Sequence, residues 1–225
     1  RVMTFQPPEH HPAFEEYCET IFELAEDGVQ VKQARIAERL GVAPPSVSEM
    51  IHRMVDVGLV KLAAGQIKLT SKGTDLATQV VRRHRLAECF LADVLGLSWT
   101  EAHHEAGKWE HIISGSVEEA MRKILDDPTT CPHGNPIPGS NYRAPEDAVV
   151  LSNLADGESF VVERITEELE FADGLLEYFE KAELKPGSEA QIKGITPAGI
   201  RKVEINGKNL EIDLFASERI LVTSL

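Results

Sequence analysis

Apolar residues recur at helical spacing from early in the chain. Phe14, Tyr17, Ile21 and Leu24 predict a helix from about Pro12 into Leu24, ended by Asp27 and Gly28. KQARIAERL, Lys32 to Leu40, reads as a short helix stopped at Gly41. PPSVSEMIHRMVDVGL, Pro44 to Leu59, reads as another that opens on prolines suited to a first helical turn. Val47, Ile51 and Met54 share one face of it and predict its core side. Ala37 and Gly41 are small enough for a close helix crossing and a tight turn, so the two short helices have the pattern of a helix-turn-helix. VKLAAGQIKLT then alternates around Ala64 and Gly65 like a hairpin wing. The plainer reading is a helical hairpin followed by a β-ribbon.

Beyond Ser71 the periodicity predicts a long helix through Arg85 and HRLAECFLADVLGL to Leu97, with more apolar residues than one modest domain needs: Val80, Val81, Leu86, Phe90, Leu91 and Val94. Further helices are expected at Trp99 to His111 and at Ser116 to Leu125, the latter begun by a Ser116/Glu119 capping box. Such a segment, tied to a DNA-binding module, is a natural homodimerisation unit. The proline- and glycine-rich run DPTTCPHGNPIPGSNYRAPE, residues 127–146, breaks regular structure and marks a domain boundary. After it GESFVVERI, GSEAQIKGI, KVEING, KNLEIDLF and RILVTSL alternate like strands, with a turn at Asn206 and Gly207. They fit a small β-barrel of about 75 residues carrying one acidic helix at Phe171 to Ala182. The expected division is 1–76, 77–146 and 147–225, in a fold that is mainly α with β.

Charge sharpens this picture. The net charge of −14 argues against a nucleic-acid partner for the chain as a whole, because affinity for DNA comes largely from neutralising phosphates. Between Gln30 and Arg85, however, ten basic residues stand against four acidic ones, which leaves −20 on the remainder. A basic module on an acidic body favours the winged helix-turn-helix, and an acidic body is a plausible home for a cation. Arg35, Arg53 and the wing residues Lys61 and Lys68 are the expected phosphate contacts. No apolar run is long enough to span a bilayer, and RVMTFQPPEHHP lacks a signal-peptide core, so the chain is read as cytoplasmic with no membrane partner. Cys18, Cys89 and Cys131 are scattered and without CxxC spacing, which argues against disulfides and a structural zinc site.

AHHEAGKWEH, Ala102 to His111, is the densest chemistry in the chain. On a helix His103, Gly107, Glu110 and His111 share one face, while Trp109 and Ile112 turn toward a core. His84 and Glu88 lie four apart upstream, and Glu16 and Glu19 three apart on the first helix; such pairs let two ligands reach one ion. Each pair alone is usually a solvated helix face. Three on helices that must pack together point to a metal.

RRHRLAECFLADVLGL, HHEAGKWEH and HGNPIPG, in that order behind a winged helix-turn-helix, resemble the diphtheria-toxin-repressor family of iron- and manganese-dependent regulators along nearly the whole chain. The resemblance implies a homodimeric repressor with a C-terminal SH3-like domain. Such a repressor takes a divalent metal as corepressor, binds a palindromic operator and shuts off metal uptake. It maps an ancillary site onto His84, Glu88 and His103, with Glu167 and Glu170 from the SH3-like domain. It maps a primary site onto Glu16, Gly107, Glu110 and His111, with Glu19 added in the manganese branch. Iron regulators carry methionine at the Glu16 position and cysteine at the Gly107 position, and manganese regulators carry glutamate at the latter. The oxygen and imidazole set left here favours Mn(II) over Fe(II), with Fe(II) still possible. The replacement donor is left open among Glu105, His104, a water and the Gly107 carbonyl.

The resemblance also matches Pro45, Ser46 and Ser48 to DNA-contact positions, with Glu49 where iron regulators have glutamine. The serine hydroxyls and the helix N-terminus suit phosphates, and Pro45 suits thymine methyls. Two rival readings are a winged-helix sensor of a small organic ligand and a metal-dependent hydrolase. The second lacks HExxH, a supported nucleophile and a phosphate-binding glycine loop.

Overall fold

The computed structural model describes residues 12–225, so the opening RVMTFQPPEHH, read above for a signal peptide, lies outside the described residues. Helix α1 (Pro12–Glu26) buries Tyr17, Cys18, Ile21 and Leu24 against α2 (Gln33–Leu40), α3 (Pro44–Asp56) and the hairpin β1 (Val60–Ala63) and β2 (Gln66–Leu69). Val47, Ile51 and Met54 are fully buried, as their spacing predicts. Gly41, at φ 63°, closes α2 in the left-handed conformation. Ala64 and Gly65, at φ 51° and 73°, form a two-residue wing turn that requires positive φ at both positions. The base of the wing lies so close to the next helix, α4 (Ser71–Cys89), that a Cβ on Gly73 would stand 2.0 Å from the Leu59 carbonyl oxygen.

The helix expected to run to Leu97 ends earlier. After Cys89 the chain makes a π-helical turn, Phe90–Val94, in which the Leu95 N–H bonds the Phe90 carbonyl at 3.2 Å, and left-handed Gly96 ends it. The widened turn sends Leu91 into a core with Ala102 and Ala106 and leaves Val94 and Leu95 exposed. Helix α5 (Trp99–Trp109) starts on a true capping box between Ser98 and Glu101. Helix α6 (Gly115–Ile124) is capped instead by Ser114, which accepts from the Val117 N–H. The predicted Ser116/Glu119 box is therefore not formed, because Ser116 already lies inside the first turn. Ile112 is 77% exposed, contrary to its expected core orientation, since α5 has ended and the chain is turning there. With Val94, Leu95, Val117 and Ile124 it leaves apolar surface on the helical segment.

Residues 127–146 are irregular, as their prolines dictate, but not a free linker. Cys131, His133, Asn135 and Ile137 are buried. Asn135 donates to the Ile165 carbonyl at 3.0 Å and to Glu170 at 2.5 Å, which wedges the loop between α4 and the C-terminal domain. That domain is one antiparallel sheet in the order β3 (Val149–Val150), β8 (Ile220–Ser224), β4 (Ser159–Ile165), β5 (Glu189–Ile195), β6 (Arg201–Ile205), β7 (Lys208–Ile212). Asn206 and Gly207 make the β6–β7 turn at positive φ. The helix expected over Phe171–Ala182 starts later, as α8 (Leu175–Ala182) after left-handed Gly174, and a separate short helix, α7 (Glu167–Glu170), precedes it. A last short helix, α9 (Leu214–Ser217), precedes β8.

Candidate metal centre and DNA-facing surface

Helices α1, α4 and α5 converge on a cavity of about 310 Å³ whose lining includes Glu16, Glu19, His84, Gly107, Glu110 and His111. Glu110, at the end of α5, is the hub. One carboxylate oxygen lies 2.6 Å from His84 Nδ1 and the other 3.1 Å from His111 Nε2. Glu19, His84 and Glu110 hold ligand atoms within 4.8 Å of one another. Glu16 is exposed on the rim, whereas its neighbour Glu15 is buried and lies 2.6 Å from His111 Nδ1. The sequence singled out Glu16 and missed Glu15, because an i, i+3 count on α1 does not say which of two adjacent carboxylates turns inward. A Cβ built on Gly107 meets nothing within 4 Å, so the missing side chain leaves open space. Of the alternative donors, His104 lines the cavity, while Glu105 pairs with Lys108 at 2.7 Å.

A second cluster adjoins the first through His84. Glu88 Oε1 lies 3.3 Å from His84 Nε2 and 3.0 Å from His103 Nδ1, which is also 3.0 Å from Glu170 Oε2. Glu167 joins His103 and Glu170 within 4.8 Å. Residues from α4, α5 and the C-terminal domain are thus brought together as a group. Sequence reasoning missed two further members. His133 is fully buried, with Nδ1 3.1 Å from Glu170, and Cys131 Sγ lies 3.7 Å from the same nitrogen; Glu88, Cys131 and His133 form another possible ligand group. The C-x-H spacing in CPHGNPIPG was the available signal, hidden by reading that run only as a boundary. Gly134 positions it: at φ 89° it packs so close to β4 that a Cβ would stand 2.3 Å from the Glu163 carbonyl oxygen.

The charges are held under protest. Burial, then Glu110 and Glu23, push Glu19 well above the usual carboxylate range. Burial opposes the imidazolium of His84, yet Glu88 and Glu110 raise it well above its ordinary value. His103 behaves likewise, raised to about 10 against its burial by Glu170 and Glu88. The hydrogen bond to Glu15 raises His111. Glu19 Oε1, Glu88 Oε2 and His133 Nε2 are buried without hydrogen-bond partners among the described residues, which is costly unless something else binds them. Oxygen and imidazole donors converging with unsatisfied atoms fit a divalent cation.

In the N-terminal domain, Pro45, Ser46, Glu49, Arg53, Lys61 and Lys68 are exposed and Ser48 is half-exposed; Lys61 and Lys68 face each other across the wing. Arg35 pairs with Glu38 at 2.9 Å, and the Arg53 guanidinium lies 5.5 Å from the centre of the Phe14 ring. The N-terminus of α3 does not offer the free donors expected of it. Pro44 and Pro45 have no N–H, and those of Ser46 and Val47 bond Ala43 O at 3.0 and 3.3 Å.

The C-terminal domain touches the DNA-binding module directly. Arg164 on β4 donates to Glu26 at 3.0 Å and Asp27 at 2.6 Å at the end of α1, and to Asn135. Fully buried Arg85 bonds Glu26, Glu167 and the Pro136 carbonyl. Phe171 stands between the Arg39 guanidinium of α2, 4.6 Å from its centroid, and the His103 ring, at 5.1 Å.

A DNA-binding winged module, a helical segment with a ligand-rich centre and an SH3-like domain together define a metal-responsive transcriptional regulator. Family models agree: iron dependent repressor, N-terminal DNA binding domain, over residues 11–65; iron dependent repressor, metal binding and dimerisation domain, over 70–139; and FeoA domain over 149–224. The chain belongs to the diphtheria-toxin-repressor family of metal-dependent transcriptional repressors. It is 40% identical over 204 residues to the iron-dependent repressor IdeR of Mycobacterium tuberculosis H37Rv, covering 86% of this chain and 88% of that one. It is 36% identical over 207 residues to the diphtheria toxin repressor of Corynebacterium diphtheriae, covering 88% and 91%. Among solved structures, a manganese-dependent transcriptional repressor in complex with manganese superposes with a TM-score of 0.83 at 32% identity, covering 94% and 100%. The manganese regulator SloR gives 0.74 at 29%, covering 98% and 100%. These relatives are regulators of transcription, not enzymes. No helix among the described residues is long and apolar enough to cross a membrane.

Proposed function

We propose that this repressor is a homodimer that takes Mn(II) in preference to Fe(II), binds a palindromic operator in the cytoplasm and controls genes of metal uptake. The observation that carries the metal preference is the donor set at the junction of α1, α4 and α5: Glu19, His84 and Glu110 offer oxygen and imidazole and no sulfur. Such a shell suits Mn(II). Glu16, Gly107 and His111 complete this proposed primary site, and His84, Glu88, His103, Glu167 and Glu170 the ancillary one.

A divalent cation, when bound, would supply positive charge to this cluster of carboxylates. Glu19 with Glu110 then ties α1 to α5, and Glu170 with His103 ties the C-terminal domain to the same helix. Because α1 packs on the helix-turn-helix, its position sets that of α3. In a dimer with α1 fixed, the two α3 helices stand about one DNA turn apart, roughly 34 Å, with Lys61, Lys68 and Arg53 at phosphates. The DNA-competent arrangement must bind metal better than the other for this coupling to hold.

Anaerobic titration of the metal-stripped protein with Mn(II) or Fe(II), read by fluorescence anisotropy on a DNA fragment from its own upstream region, tests the proposal. DNA binding should appear only with metal and at a lower midpoint for Mn(II). A lower Fe(II) midpoint would reverse the metal assignment, and binding indifferent to metal would remove the corepressor role.

A further inference from the structure

The recognition helix α3 presents a narrow outer stripe. With 100° between residues, Pro45, Glu49 and His52, at i, i+4 and i+7, lie opposite the buried face of Val47, Ile51 and Met54. All three are exposed. Pro45 has neither an N–H nor a polar side chain, so Glu49 and His52 are the polar groups of this stripe in the first three turns.

Both are hydrogen-bond acceptors. An ionised glutamate accepts only, and Glu49 has no hydrogen bond or ion pair among the described residues. His52 Nδ1 lies 2.6 Å from the Ser48 carbonyl oxygen one turn back. A carbonyl can only accept, so Nδ1 carries a proton, and a ring holding that one proton has its lone pair on Nε2, away from the helix. No lysine or arginine lies on the stripe to make the common contact to guanine O6 and N7; Arg53 is off it and stacks toward Phe14.

We infer that His52 is a base-reading residue, and that with Glu49 it selects half-sites that present an exocyclic amino group, cytosine N4 or adenine N6, in the major groove. This inference rests on the DNA-binding reading of α3 and adds the chemistry it reads. Major-groove donors come from these two amines alone, so two adjacent acceptors on the outermost stripe match them and reject guanine and thymine edges.

The test starts from duplexes selected out of a random library by the full-length protein loaded with Mn(II). Each base pair of one half-site is then varied in competition anisotropy against wild type, Glu49→Gln and His52→Ala. Deleting the amine at the selected base, with purine in place of adenine or 2-pyrimidinone in place of cytosine, should weaken wild-type binding about 5- to 150-fold. His52→Ala should bring preference at one base pair within about twofold and leave the other positions selective. Equal weakening on every duplex would make His52 a phosphate contact and overturn the inference. Unchanged selectivity, or a preferred guanine or thymine under His52, would overturn it as well. If the wild type enriches no sequence, the DNA-binding reading of α3 fails first and the inference with it.

Discussion

Arg164 of the C-terminal sheet donates a 2.6 Å hydrogen bond to Asp27 at the end of α1, joining groups 137 positions apart. The contact means that the SH3-like domain holds the helix that supports the DNA reader, as well as contributing Glu167 and Glu170 near the metal centre. Both partners are largely buried, so removing one strands the other. Arg164→Ala should destabilise the chain by about 3–5 kcal/mol. Urea unfolding measures this, and hydrogen exchange should show β4 and β8 losing protection first. A change below about 1 kcal/mol would mean that the pair is solvated and the domains are held elsewhere.

Phe171 makes a second, shorter route between metal centre and DNA reader, lying between His103 and Arg39. Phe171→Leu keeps apolar bulk but loses the ring face. It should leave metal affinity nearly unchanged and reduce the metal-induced gain in DNA affinity by about 2- to 30-fold, the range of one cation–π contact. Paired metal-binding and anisotropy titrations separate the two effects.

The histidines set the pH dependence. His103 is raised to about 10 and His84 well above its ordinary value, so these two rings carry protons near neutrality that a metal must displace, and the hydrogen bond to Glu15 raises His111 as well. Metal affinity should therefore rise with pH and fall as the solution is acidified. The metal-free fold behaves oppositely at alkaline pH: stabilisation from His103 is complete below its unfolded value of about 6.5 and is lost as pH rises through about 10. Calorimetry of Mn(II) binding in buffers of different ionisation enthalpy should detect at least one proton released per protomer near pH 7.

Gly107 lies in α5 with room for a side chain. Gly107→Ala should stabilise the helix by about 1 kcal/mol, raising Tm by about 2–4 °C, without altering metal affinity. Gly107→Glu should place a carboxylate in the cavity and tighten Mn(II) binding about tenfold. Equal metal affinity in the two variants would show that position 107 does not face the ion.

Much of this was legible in the sequence because periodicity and turn chemistry are local. Val47, Ile51 and Met54, the Ala64-Gly65 wing turn and the Asn206-Gly207 hairpin all follow from spacing and the need for positive φ. His84, Glu88, His103 and Glu110 were legible because helical spacing fixes a shared face. What escaped depended on the fold bringing distant segments together. Glu15 rather than Glu16 meets His111 because of how α1 is rotated against α5. His133 enters the centre only because Gly134 lets an irregular loop press on β4. The π-turn after Cys89 left no mark, since Phe90 and Leu91 suit an α-helix equally well and the demand comes from the core they enter.

The most direct test of the account is Glu110→Ala, because Glu110 bonds both His84 and His111 at the meeting of α1, α4 and α5. Operator anisotropy with saturating Mn(II) should show metal-induced binding lost, while sedimentation shows the dimer intact. Metal-induced binding equal to wild type in an intact dimer would contradict the claim that this cluster couples metal to DNA.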